Sequence, residues 1–119
     1  MPHLILEHSD NLIKKPDFHA LFKASHEALT AILPTELKSC KSRAIEYKDY
    51  YLGDGAPSYA FIHLTVRLFA GRSPDVIARA ANALMDLLQE HISRSDQKIN
   101  VSIEMVGIDK ANYFKTEIS

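Results

Sequence analysis

One arrangement of residues occurs twice along this chain, and it restricts the fold more than any single motif does. Pro2 to Glu7 (Pro-His-Leu-Ile-Leu-Glu) is a short apolar run followed by the turn-like His8-Ser9-Asp10-Asn11, which reads as a buried strand. Lys15-Pro16-Asp17 then opens a helix, proline suiting the first helical position and aspartate the positive helix end. Phe18, Leu21, Phe22, Ser25, Leu29 and Ile32 form one helical stripe, which Pro34 ends after Leu33. A second strand runs from about Lys41 to Tyr51, and Gly53-Asp54-Gly55-Ala56-Pro57 supplies a loop.

The order then restarts. Tyr59 to Leu68 is a strand, and Ser73-Pro74-Asp75 provides an N-cap, a first-turn proline and an acid. Val76, Ile77, Ala80, Ala81, Leu84, Leu87 and Leu88 make a second helical stripe, and Ile99, Val101, Ile103 and Met105 alternate with polar residues as a half-buried strand. Pro2 precedes Asp17 by 15 residues and Tyr59 precedes Asp75 by 16. The expected fold is α/β (α+β): a duplicated β-α-β unit, with pseudo-repeats at about 2–52 and 58–107, forming a four-stranded mixed sheet with both helices on one face. The other face then needs a cover.

With 119 residues, 46% hydrophobic and 24% charged, the chain fits a single domain, 1–119. So short a domain leaves much surface exposed, and an extended apolar sheet face would favour self-association. Fourteen basic against 15 acidic side chains give a net charge of -1, so neither nucleic acid nor an anionic membrane is an expected partner. Cys40 is the only cysteine, which excludes an intrachain disulfide and fits a reducing compartment; no apolar run reaches membrane-spanning length, and the start lacks a signal-peptide layout. Cytoplasm is the expected location.

Met1-Pro2 is a favourable site for methionine removal, which would make Pro2 the chain terminus with a secondary amine. A terminal amine has a reference pKa of about 7.7–8.0; nearby cations and burial both disfavour its protonated form and bring it toward the range of an effective general base. Proline in second place is also compatible with a processing signal and nothing more. His3, His8, His19, His26, His63 and His91 show no metal-ligand spacing, so no metal is expected. His63 reads as a hydrogen-bonded core or interface histidine, and Cys40 as a passive thiol.

Five ordered segments carry a resemblance that spans nearly the whole chain: Pro2-His3-Leu4-Ile5-Leu6-Glu7, Lys41-Ser42-Arg43, Tyr59-Ala60-Phe61-Ile62-His63-Leu64-Thr65, Ala70-Gly71-Arg72-Ser73 and Asn112-Tyr113-Phe114-Lys115. Together they resemble the 5-carboxymethyl-2-hydroxymuconate Δ-isomerases of the tautomerase superfamily. The resemblance implies a homotrimer with Pro2 as catalytic base near subunit boundaries. It also implies a cofactor-free, metal-free reaction that turns an anionic dienol carboxylate into its conjugated 2-oxo isomer in homoprotocatechuate breakdown.

Such a substrate needs fixed cations to orient its carboxylates and balance charge on the dienolate oxygen. Arg72 matches a family arginine and suits a two-point carboxylate grip. Lys41 departs from the family, where an arginine precedes Ser-Arg; lysine keeps the charge but loses the planar grip. Arg43, two residues on, shares its strand face, so either or both can serve as a clamp. Phe114 or Tyr113 is a candidate pocket wall across a subunit boundary. The same machinery would suit another 2-hydroxydienoate or a phenylpyruvate-like enol, and a non-catalytic trimeric binding protein of this fold is the alternative from a different class.

Overall fold

Two capping side chains start the helices that hold the sheet together. Ser73 Oγ accepts from the Val76 amide at 3.3 Å, Pro74 occupies the first helical turn, and Asp75 follows, as the sequence predicts for the second repeat. In the first repeat Asp17 is itself the cap, its Oδ1 accepting from the Ala20 amide at 3.1 Å, so Pro16 lies outside the helix rather than in its first turn. The reason is spacing: the three residues from cap to bonded amide count from Ser73 in one repeat and from Asp17 in the other.

The computed structural model describes residues 1–119. Its elements, in chain order, are β1 (His3–Ser9), α1 (Phe18–Ile32), β2 (Lys41–Tyr47), β3 (Tyr59–Phe69), α2 (Pro74–His91) and β4 (Lys98–Ile108), with short 3-10 turns at Leu37–Ser39 and Lys110–Asn112. The strands form one sheet in the order β2-β1-β3-β4. β1 runs parallel to β2 and β3 parallel to β4, while β1 and β3 meet antiparallel at the centre. Each repeat is thus one parallel β-α-β unit, and the duplication read from the sequence is the architecture.

Strand alternation sorts the side chains into two layers. Leu4 and Leu6 lie opposite Val66 and Leu64, and these continue across β4 to Met105 and Ile103, all in or against one hydrophobic cluster. Leu21 and Leu29 from α1, with Ala80, Leu84 and Leu88 from α2, close that layer from the same side. Burying a leucine or isoleucine here stabilises by about 1.5–3 kcal/mol. Ser25, buried on α1 among them, satisfies its hydroxyl by donating to the Leu21 carbonyl at 2.7 Å.

The opposite layer is not the apolar face that self-association by burial alone would call for. It carries His3, Glu7, Lys41, Arg43, Tyr47, His63, Thr65, Arg67, Ser102 and Glu104 around Ile5, Ile45 and Phe61. Its polar groups pair across strands: Tyr47 donates to Glu7 at 2.5 Å, and His63 contacts Ser102 at 2.6 Å and Glu104 at 3.3 Å. His63 therefore belongs to a hydrogen-bonded surface network and not to the apolar core.

Two strand ends differ from the sequence reading. β1 continues through His8 and Ser9, which are buried: His8 bonds its own chain at the Ser9 carbonyl and stacks on Phe18, and Ser9 Oγ accepts from the Phe61 amide. β2 stops at Tyr47, the partner of Ser9, because β1 offers no further backbone to pair with; the Asp10 amide closes the end on the Tyr47 carbonyl at 3.0 Å.

Leu64→Ala should destabilise the fold by about 2–5 kcal/mol. Asp17→Ala, which removes only a cap, should cost about 1 kcal/mol. Urea denaturation followed by circular dichroism distinguishes the two, and equal midpoints would contradict this ranking.

Candidate active site

β1 pairs on both sides, His3 facing Lys41 on one and Arg67 on the other. The residue before it is therefore fixed in the interior of the sheet rather than left as a free tail. Pro2 is fully buried, and its carbonyl accepts from the Lys41 amide at 3.1 Å. Met1 is buried as well, at 9% exposure, with its carbonyl held by Thr35 Oγ1 at 3.0 Å.

Beside this terminus is a hollow of about 270 Å³ lined by Met1, His3, Arg43, Arg67, Ile108, Asn112 and Tyr113. Arg43 and His3 touch, guanidinium Nη1 to imidazole Nδ1 at 3.0 Å, and the other imidazole nitrogen lies 2.8 Å from the Tyr113 hydroxyl. Lys41, Arg43, Arg67, Arg72 and Lys115 form no ion pair with any carboxylate of the chain. In a protein of net charge -1, this collection of uncompensated cations at one end of the sheet makes a local anion-attracting region.

The field is visible in the titrating groups. The terminal amine, which here belongs to Met1, is held below its ordinary pKa by burial first, then by Lys41 and Lys115. Burial and the neighbouring Arg43, Lys41, terminal amine and Arg67 likewise lower His3. Cys40 moves the other way, its thiol raised by burial, so it stays protonated and passive as the sequence predicts.

Arg43 and Pro2 thus belong to one end of the structure, and Lys41 acts on it through charge while its ammonium donates to the Ser39 carbonyl at 3.3 Å. Arg72 follows Gly71, whose φ of 106° only glycine adopts readily, and its guanidinium donates to the Phe69 carbonyl at 2.7 Å. Arg72 does not line the hollow within one chain, and its buried Nε has no partner. Phe114 is 88% exposed and also outside it. Tyr113 takes the wall position instead. Arg67 and His3 are the residues of the candidate site that sequence reasoning missed: the antiparallel register places them beside each other, and the contact with His3 brings in Arg43 from β2. No group of three or more His, Cys, Asp or Glu side chains is placed to hold a metal ion.

A larger hollow of about 480 Å³ lies at the other end of the sheet, with Tyr51, Tyr59, Phe61, Lys98 and Asn100 in its wall. Size favours it, but the buried terminus and the cation cluster are elsewhere, and chemistry outweighs volume in choosing the candidate site.

Residues 2–118 match the family 5-carboxymethyl-2-hydroxymuconate isomerase. The chain belongs to this family. Among its relatives is the 5-carboxymethyl-2-hydroxymuconate Delta-isomerase of Escherichia coli, 32% identical over 93 residues, which are 78% of this chain and 74% of that protein. The crystal structure of a 5-carboxymethyl-2-hydroxymuconate isomerase from Deinococcus radiodurans R1 superposes with a TM-score of 0.87 at 30% identity, covering 98% of this chain and 90% of that one. A fused symmetric trimer of 4-OT superposes with a TM-score of 0.73 at 20% identity over 93% of this chain and 89% of that one, which shows the shared tautomerase fold. This 5-carboxymethyl-2-hydroxymuconate isomerase family member is accordingly an isomerase of the tautomerase type. No helix in it is long and apolar enough to cross a membrane.

Because the folded chain disfavours the His3 imidazolium, the unfolded chain binds its proton first as the medium is acidified. His3 therefore subtracts stability as pH falls through the ordinary histidine value of about 6.5. A histidine NMR titration should place the His3 midpoint below that value, and Arg43→Ala should move it upward; a midpoint at or above the ordinary value contradicts the described environment.

Proposed function

We propose that this isomerase, once Met1 is removed, converts 5-carboxymethyl-2-hydroxymuconate to its conjugated 2-oxo isomer with the secondary amine of Pro2 as general base. The observation that carries this reading is the burial of Pro2 at the start of a central strand, next to cations with no carboxylate partners. Met1 is part of the wall of the hollow, so its removal would enlarge that space and transfer the terminal amine to the buried proline. The causes that lower the Met1 amine, burial and the charges of Lys41 and Lys115, would act on the new terminus.

In this mechanism the neutral amine takes the proton from the substrate's 2-hydroxyl, the electron pair moves through the diene, and the ammonium returns the proton to carbon. The hydroxyl carbon becomes the ketone, and no external oxidant or reductant enters. Arg43, with Arg67 beside it, would hold a carboxylate and offset the dienolate charge; Lys41 would contribute charge at longer range.

Arg72 and Phe114 are proposed to join the site from a trimeric assembly. An unpartnered Arg72 Nε and an exposed Phe114 support this, as does the symmetric-trimer description of the 4-OT relative. Sedimentation should then give three times the 13.4 kDa chain mass. The lone cysteine supports a cytoplasmic location. Lys41, engaged with its own chain at Ser39, favours a second reading in which a related dienol with fewer carboxylates is preferred. Ultraviolet ketonisation rates for triacid and diacid dienols separate these.

Mass spectrometry should find Pro2 as the unblocked terminus, and Pro2→Ala should lower turnover by about 10²–10⁴-fold, the usual contribution of a positioned base. The acid limb of kcat/KM should inflect below the reference range of about 7.7–8.0, since activity is lost as falling pH protonates the amine. Undiminished turnover in Pro2→Ala refutes the base.

A further inference from the structure

We propose that Tyr113 is a substrate-contacting residue whose hydroxyl proton is aimed into the N-terminal hollow by a hydrogen-bond chain from Arg43 through His3, so that it donates to a carboxylate oxygen of the substrate. The argument begins with a group that has no choice. A guanidinium carries N–H donors and no acceptor, so the 3.0 Å contact between Arg43 Nη1 and His3 Nδ1 requires Nδ1 to present its lone pair. A neutral imidazole with a bare Nδ1 carries its proton on Nε2. That nitrogen is 2.8 Å from Tyr113 Oη and donates to it.

Tyr113 Oη thereby accepts a hydrogen bond from His3 and keeps its own proton, which no acceptor in the chain takes up: the imidazole is its sole hydrogen-bond partner. The ring is held while the hydroxyl stays free. Its backbone amide closes the Lys110–Asn112 turn on the Lys110 carbonyl, Asp109 caps that turn at the Ala111 amide, and the ring stands edge-on to Phe69 at 5.4 Å between centroids. The free O–H belongs to a residue that lines the same hollow as Arg43 and Arg67.

The surroundings keep the relay in this state. Arg43 and Lys41 on β2, Arg67 on β3 and the terminal amine all face His3 and oppose a second proton on it; no carboxylate pairs with it. A doubly protonated His3 would also set two donors against each other at the Arg43 contact. The bond to His3 in turn fixes one corner of the Arg43 guanidinium and leaves its other N–H groups available. The hollow then offers two guanidinium groups and one oriented hydroxyl, a donor set suited to a carboxylate.

This inference rests on the reading of the hollow as the substrate site but not on Pro2 as the base, and the test keeps them apart. The probe is cis,cis-muconate, a conjugated dicarboxylate that lacks the 2-hydroxyl and cannot ketonise, titrated calorimetrically into the processed full-length protein. Tyr113→Phe keeps the ring and should weaken binding about 10- to 100-fold, the range of a lost hydrogen bond to a charged group. The same loss should appear in a Pro2→Ala background, whatever Pro2→Ala does to turnover. His3→Leu should match Tyr113→Phe, whereas His3→Gln, whose carboxamide can accept from Arg43 and donate to Tyr113, should recover most of the affinity. In the unsubstituted protein, nitrogen-15 NMR should show His3 protonated at Nε2 and bare at Nδ1. A His3 proton on Nδ1, wild-type affinity in Tyr113→Phe, or no muconate binding to the unsubstituted protein would each overturn the proposal.

Discussion

The antiparallel pairing of β1 with β3 is the contact on which everything else depends. It joins the strands of the two β-α-β repeats, which otherwise pair only within each repeat, and places Leu4 and Leu6 against Val66 and Leu64 at the centre of the core. It also decides the fate of the chain terminus. A strand at a sheet edge can start with a loose residue; one paired on both sides draws its first residues into the interior, and Pro2 becomes fully buried as a result. The same register puts His3 beside Arg67, so the pairing that stabilises the fold also assembles the cationic hollow.

Uncompensated positive charge is the second organising feature. Some surface cations find acids, as Lys15 does with Glu46 and Lys23 with Glu27. The cluster of Lys41, Arg43, Arg67 and Lys115 beside the terminus finds none. Concentrating like charges in a half-buried site opposes stability, and its chemical effect is to favour neutral forms of the terminal amine and of His3. Under the proposed mechanism, neutral bases beside fixed cations suit proton transfer from an anionic acid, so the local cost in stability would be the counterpart of reactivity.

The fold was legible because its signals are local. Ser73-Pro74-Asp75, the apolar stripes and the alternation in β4 each act within a few residues, and the repeat spacing ties them together. Misreadings arose where tertiary contacts override local polarity: His8 and Ser9 look like a turn until Phe18 and the Phe61 amide supply partners. The candidate site was half legible. Pro2, Lys41 and Arg43 could be named from strand position and family pattern, but Arg67 and the His3–Tyr113 contact join residues 64 and 110 positions apart, and no sequence periodicity encodes such a register. Tyr113 and Phe114 are adjacent in sequence, and only the turn at Lys110–Asn112 decides that the former faces the hollow and the latter the solvent.

The burial of the first residues has a practical corollary for handling the molecule. Any polypeptide appended ahead of Met1 would start from a buried residue in the wall of the cationic hollow, whereas the last residues of the chain are exposed, Ile118 by 92%. Affinity handles and fluorescent labels therefore belong after Ser119, which is exposed.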